Sequence, residues 1–242
     1  MILAIDAGNS RVKWGCYEHG AWSAMGAIVH DQLDSMATAL HEAAVPQKII
    51  VSNVAGPQVQ QNIASALEHF NVPPRWLKPA NMCCGVTNGY DDPSRLGSDR
   101  WAALIGARHE KAGPLLVVNA GTALTIDAMT AAGEFLGGLI VPGPRLMMRS
   151  LTTGTAQAHA IDGEFSQFPT NTRDAIYSGA LNAALGAISR MDEALAAHTG
   201  SSSTCVISGG AAAALIPRLS SPTHEVPHLV LLGLAIIAEE SD

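Results

Sequence analysis

The chain repeats itself. Leu3-Ala4-Ile5-Asp6-Ala7-Gly8-Asn9-Ser10 returns 113 positions later as Leu116-Val117-Val118-Asn119-Ala120-Gly121-Thr122-Ala123. At the same shift, and without a gap, Gly20 falls on Gly133 and Trp22 on Phe135. Each copy reads as an apolar strand (residues 2–5 and 115–118), a polar residue, a small residue, a glycine, a small polar residue and a second strand. A further glycine turn then leads to a third strand. A single such turn is an ordinary hairpin. Two in register, each with a side-chain oxygen just before the glycine, predict facing clips for a nucleotide's phosphates, with Gly8 and Gly121 at positive φ and amides free for phosphate oxygens.

A duplication predicts two halves, residues 1–114 and 115–242, and 242 residues give each half enough chain for its own core. Between the repeated triplets, strand and helix patterns alternate, which predicts parallel pairing and an α/β sheet in each half. Residues 32–44 carry apolar positions at helical spacing up to Ala44, and residues 48–54 read as a strand. Residues 57–70 read as a helix opened by Pro57, and residues 75–77 as a short strand. Residues 81–96 read as a polar loop holding Tyr90. A helix follows from Gly97-Ser98-Asp99-Arg100 to near Gly113, with Ser98 as its N-cap.

In the second half, Pro142-Gly143 ends a strand and opens a helix through about Thr153. Thr172 caps a long helix to Thr199 whose Ala175, Ile176, Gly179, Ala180, Ala183, Ala184 and Ala187 form a flat face of small residues, suited to close contact with another helix of this chain or, in a dimer, of a second copy. Residues 204–207 read as a strand, Ser208-Gly209-Gly210 either as a simple tight turn or as one presenting helix amides to a ligand, and residues 211–219 as a helix. The last helix covers Leu229–Glu240.

Composition excludes several classes. The formal net charge is −7, and the 14 lysines and arginines are scattered, so no nucleic-acid surface is predicted. The opening Met-Ile-Leu-Ala-Ile-Asp has no basic n-region, and the apolar run at 228–238 is too short to cross a bilayer, so no membrane association is predicted. Cys16, Cys83, Cys84 and Cys205 form no CxxC pair, which argues against a zinc site or disulfide framework and for a reducing, cytoplasmic setting. His224-Glu225-Val226-Pro227-His228 matches the zinc-peptidase HExxH pattern, but Pro227 breaks the helix that the pattern needs.

Asp99 is the candidate catalytic residue, a carboxylate able to accept a proton. A carboxylate at a helix N-terminus is stabilised by about 0.3–1 kcal/mol and is expected to be ionised. Local sequence alone favours a simple helix-capping role for it. Arg100 reads either as a surface cation or as a clamp for an anion.

The duplicated hairpins resemble the two phosphate motifs of the actin and sugar-kinase superfamily, whose fold is a pair of duplicated ribonuclease H-like domains with the nucleotide cleft between them. More narrowly, four features are similar to the type III pantothenate kinase family. These are the N-terminal run to Lys13, Gly97-Ser98-Asp99-Arg100, Gly121-Thr122-Ala123 leading to Gly137-Gly138 and Pro142-Gly143, and Asn171-Thr172 before the small-residue helix. The resemblance implies ATP-dependent phosphorylation of the primary hydroxyl of pantothenate, the first step towards coenzyme A. It implies that Asp6, Ala7, Gly8, Asn9, Ser10, Arg11, Val12, Lys13 and Thr122 bind ATP, with Asp6 near magnesium. Gly97, Ser98, Asp99 and Arg100 would bind pantothenate with Tyr90, and Thr172 would contribute from a homodimer interface. In this setting Asp99 becomes the proton acceptor.

Two departures accompany the resemblance. Asn119 stands where the family carries an aspartate associated with a potassium or ammonium ion, and Gln157-Ala158-His159 follows Thr155-Ala156 where proline and leucine are usual. Weakened catalysis at Asn119 would fit an alternative, a non-enzymatic regulatory protein on the same scaffold, whereas Asp6, Asp99 and Thr122 favour the kinase.

Overall fold

Strand β1 (Ile2–Ala7) is buried at every residue, as expected of a strand covered on both faces. It pairs antiparallel with β2 (Arg11–Glu18), and β2 pairs antiparallel with β3 (Ala21–Val29). The computed structural model describes residues 1–41, 45–152 and 162–240, so the predicted helix end at Ala44, Thr153, and the segment containing Thr155 to His159 lie outside the described residues. A 3₁₀ turn (His30–Ser35) and α1 (Met36–His41) follow β3 where one continuous helix is predicted. Strand β4 (Lys48–Asn53) then runs parallel to β1 on its other edge.

Pro57 opens α2 (Pro57–Leu67), whose Val59, Ile63, Ala66 and Leu67 form the buried stripe. That stripe packs with Leu3, Ile5, Ala7 and Val51 on one face of the sheet. β5 (Pro74–Trp76) adds a parallel edge strand, giving the order β3-β2-β1-β4-β5. The predicted 81–96 loop contains a hairpin, β6 (Met82–Cys83) and β7 (Val86–Asn88), and a 3₁₀ turn at Pro93–Arg95. Helix α3 (Ser98–Glu110) completes this run of the chain.

The second unit, Ala112–Pro227, repeats the plan. β8 (Leu115–Ala120), β9 (Ala123–Met129) and β10 (Glu134–Pro142) form the antiparallel triplet. After α4 (Pro144–Thr152) and α5 (Thr172–Thr199), β11 (Thr204–Ser208) runs parallel to β8. The predicted helix over 211–219 is shorter, α6 (Ala212–Leu215) with a 3₁₀ turn behind it, and β12 (Thr223–Glu225) closes the order β12-β11-β8-β9-β10. Repetition extends to a defect. Tyr17 pairs with Trp22 and Cys16 with Ala24, leaving Ser23 as a bulge; Met129 pairs with Phe135 and Ala128 with Gly137, leaving Leu136 as its counterpart. The repeat is not wholly gapless, because four residues separate the paired Ala7 and Val12 but three separate Ala120 and Leu124.

The cap of α5 is Asn171 and not Thr172. Its Oδ1 accepts from the Asp174 amide at 3.0 Å, leaving Thr172 as the first helical residue. Leu181, Ala184, Ile188 and Leu195 face the unit's core beside Leu116, Val118, Leu124 and Ile126.

Helix α7 (Leu229–Glu240) carries apolar residues all round, and such a helix belongs inside a core. It packs on α3, β1 and β4. A Cβ on Gly233 would collide with the Ala102 carbonyl, so the two helix backbones touch there. Lys48 Nζ donates to the Ala238 carbonyl at 2.8 Å near the helix end. The first unit is therefore Met1–Lys111 with His228–Asp242. Sequence alone places this helix with the second half; burial of its whole circumference against the first corrects that assignment. Among the described residues no helix is long and apolar enough to cross a membrane.

Candidate functional site

Asp6 lies near the end of β1, across from Lys13 on β2 and from Ser52 on β4. Leu3, Ile5 and Ala7 alternate into the cluster beneath α2, so Asp6 stands on the other face, the one that α7 covers. Ser52 Oγ and Ser98 Oγ share a buried hydrogen bond of 2.8 Å, which fixes the first turn of α3 on this face. Ser98 is therefore not the N-cap; Gly97 holds that position.

The pinning brings Asp99 towards Asp6. Asp6 is 7 % exposed, and its carboxyl is pushed up to about 6, chiefly by burial. Lys13 opposes the rise and the charge of Asp99 adds to it. Asp99 is also pushed up, first by burial; the Arg100 amide, which donates to its Oδ1 at 2.8 Å, and the Arg100 guanidinium pull the other way. Burial thus outweighs the stabilisation expected from the helix end. His228, at the return of the chain, is held below the usual histidine range by burial and by Lys13.

Arg100 is 4 % exposed. Its Nη1 donates to the Tyr90 hydroxyl at 2.5 Å, and its Cζ lies 5.5 Å from the ring centre. Tyr90 is positioned by Asn88, whose Oδ1 accepts from the Tyr90 amide at 3.1 Å while Nδ2 donates to the carbonyls of Ala80 (3.3 Å) and Pro93 (3.2 Å). Sequence reading passed over Asn88, although Asn-Gly-Tyr is a recognisable Asx-turn signal.

The glycine turns differ from expectation. Neither Gly8 nor Gly121 is at positive φ. Their amides are bonded within the turns, Gly8 N to Arg11 O at 3.2 Å and Gly121 N to Ala123 O at 3.0 Å. Ala7 and Val12 are core side chains, while Asn9, Ser10 and Arg11 are exposed. His30 Nε2 lies 2.9 Å from the Gly8 carbonyl and braces this turn, a contact with no sequence signal. In the second unit, Gly143 N donates to Thr122 O at 2.8 Å, and any Cβ on Gly143 would strike the carbonyls of Gly121 and Thr122.

Asn119 occupies on β8 the place of Asp6 on β1, with Thr125 and Ser208 across from it where Asp6 has Lys13 and Ser52. The two residues paired with Asn119 are neutral, and the buried acid Asp127 stands two residues from Thr125 on the same face of β9. Asp127, a buried acid on β9, also escaped the sequence reading. Thr172 is exposed at the start of α5, where Ala175, Ile176 and Gly179 line an apolar groove of about 370 Å³ with Met147 and Leu151 of α4. Gly209 follows β11 with φ 105°, but the four-residue α6 behind it is too short for the anion-binding helix expected there. His224 and Glu225 lie in β12, so the HExxH pattern forms no helix.

Two ribonuclease H-like units, each with a glycine turn closing its first strand pair, define the actin and sugar-kinase class of fold. Solved structures share it at low identity. A Campylobacter jejuni protein described as a Baf family transcriptional activator is 21% identical, with a TM-score of 0.62 and 98% of each chain covered. A Sinorhizobium meliloti protein described as a 2-dehydro-3-deoxygalactonokinase is 18% identical, with a TM-score of 0.61 and 99% of each chain covered. The sequence model of the type III pantothenate kinase family matches residues 2–213. The type III pantothenate kinase of Aromatoleum aromaticum is 45% identical over 99% of this chain and 98% of its own, and that of Nitrosospira multiformis is 40% identical over 100% and 92%. The chain belongs to the type III pantothenate kinase family.

Proposed function

We propose that this chain transfers the terminal phosphoryl group of ATP to the primary hydroxyl of pantothenate, the first step of coenzyme A synthesis. The observation that carries this reading is the convergence of Asp6, Lys13 and Asp99 from three elements of the first unit, with the Arg100–Tyr90 pair beside Asp99. Lys13 and the exposed turn residues Asn9, Ser10 and Arg11 are the triphosphate-binding residues of the first unit, and Thr122 is the ATP-binding residue of the second. Ala7, Gly8 and Val12 act through backbone alone.

The charge of Asp99 adds to the rise that burial gives Asp6, and a buried carboxylate in that position fits a divalent cation. Magnesium held with Asp6 would neutralise phosphate charge. Gly97, Ser98, Arg100 and Tyr90 orient the acceptor, and Asp99 accepts the hydroxyl proton as the loose transition state is passed. A base pushed upward by burial is better matched to that task at neutral pH than an ordinary aspartate.

Three finer points complete the proposal. The exposed small residues Ala175, Gly179 and Ala183 of α5 form a homodimer contact, with Thr172 at its edge. The neutral amide of Asn119 gives potassium or ammonium a weaker hold than a carboxylate would. The enzyme works in the cytoplasm, in keeping with its four unpaired cysteines. The test is ADP release from ATP with and without pantothenate, in sodium, potassium and ammonium buffers. A pantothenate-dependent signal is expected; its absence in every buffer would overturn the assignment in favour of the regulatory alternative.

A further inference from the structure

We propose that Cys83, Cys84 and Glu240 form a binding site for a thiophilic cation of the zinc class. None of the three belongs to the kinase machinery above. Cys84 and Gly85 make the two-residue loop of the β6–β7 hairpin, with φ of 50° and 72°. A loop with both angles positive favours Asn, Asp or Gly at its first place. Cysteine adopts that conformation at a cost of about 1–2 kcal/mol.

The strained loop sets the two sulfurs side by side. Cys83 Sγ lies 3.3 Å from Cys84 Sγ and 3.7 Å from Glu240 Oε2, and the three donor atoms lie within 4.8 Å of one another. A tetrahedral ion with Zn–S about 2.3 Å and Zn–O about 2.0–2.2 Å places sulfurs roughly 3.8 Å apart and sulfur and oxygen roughly 3.5 Å apart. The sulfur pair at 3.3 Å must open by about 0.5 Å for the three donors to close on one face of such a tetrahedron, leaving the fourth corner for water. Two sulfurs with one carboxylate select zinc, cadmium or copper(I) over magnesium and calcium. The absence of a CxxC motif does not bear on this site, because its third ligand comes from a position 157 residues along the chain.

Binding displaces both thiol protons to solvent. Because both thiols must lose their protons, affinity rises with pH and loading releases acid. A bound ion would tie the hairpin to the end of α7. β7 ends at Asn88, which holds Tyr90, so loading would stiffen the loop that contacts Arg100.

The experiment titrates cadmium into the reduced, metal-free full chain and follows thiolate-to-metal charge-transfer absorbance, with zinc as competitor. One saturable cadmium per chain, displaced by zinc, is expected. The band should vanish in the Cys83→Ser/Cys84→Ser variant and persist in Cys205→Ser. Glu240→Gln, an exposed change that spares folding, should weaken binding by roughly 10-fold or more. No saturable band, a band surviving loss of both cysteines, or wild-type affinity in Glu240→Gln would each overturn the site.

Discussion

Ser52 and Ser98 are 46 residues apart in sequence and bonded oxygen to oxygen at 2.8 Å in the buried layer between β4 and α3. This single contact sets where α3 begins, and Asp99 is the next residue. Removing one partner leaves the other hydroxyl buried and unsatisfied, at a cost of about 1–3 kcal/mol. Ser52→Ala should lower unfolding stability by that amount and reduce turnover. Removing both hydroxyls should cost less than the sum of the single changes. Strictly additive single and double variants in urea denaturation would refute the coupling.

If Asp99 receives the acceptor's proton, Asp99→Asn keeps the size of the side chain and loses the base. ATP affinity should be retained, while turnover falls by at least about 100-fold. Nucleotide binding by calorimetry and steady-state kinetics separate the two quantities. Near-normal turnover would return Asp99 to the helix-capping role that its local sequence favours.

Asp6 gives stability a pH dependence of determinate sign. Its folded-state value is raised from the ordinary 3.8 to about 6 by burial. The folded chain therefore holds a proton that the unfolded chain releases across this window, and its stability falls as pH rises from about 4 to about 6. Roughly two units correspond to about 3 kcal/mol. Other carboxylates contribute slopes of the opposite sign, so the comparison must be with Asp6→Asn, which should lack this loss. Parallel stability curves for the two proteins between pH 4 and 7 would contradict the raised value.

Tyr90→Phe removes the hydroxyl that accepts from the buried Arg100 guanidinium and leaves the ring in place. If the pair orients the acceptor, KM for pantothenate should rise by about 10-fold with little change in kcat, as expected for losing one hydrogen bond to a charged group. An equal fall in kcat with KM unchanged would instead place the pair in the transition state.

Sequence carried the fold further than the site. Because the duplicated triplets differ only in their two turns, the first one residue shorter and the second one residue longer in the second copy, both antiparallel triplets and even their shared bulge follow from one repeat. Helix α7 was legible as a helix but not as part of the first unit, because an all-round apolar pattern states that a helix is buried without stating against what. The glycines at 8 and 121 marked the turns correctly and their φ wrongly: the motif shows that the chain bends, and hydrogen bonding to Arg11 and Ala123 decides how. Ser52 and His30 act across 46 and 22 positions on neighbours that only folding brings together, whereas the local turn at Asn88 was open to sequence reading. The rise at Asp99 depends on burial, which a helix-terminus pattern does not report.

Asn119 offers a test of how charge at the second repeat shapes cation dependence. It matches Asp6 in strand register, but its neighbours Thr125 and Ser208 are neutral where Asp6 has Lys13 across from it. An amide oxygen can coordinate potassium or ammonium without supplying charge. Asn119→Asp introduces that charge beside two hydroxyl-bearing residues and no opposed lysine on the paired strand. We expect half-maximal activation of the variant at a potassium concentration about 10-fold lower than for the natural chain, a change of about 1.4 kcal/mol. Activity in sodium should change little in comparison. The measurement is turnover against potassium at constant ionic strength. Unchanged potassium dependence in a folded, active variant would show that the monovalent cation is held elsewhere.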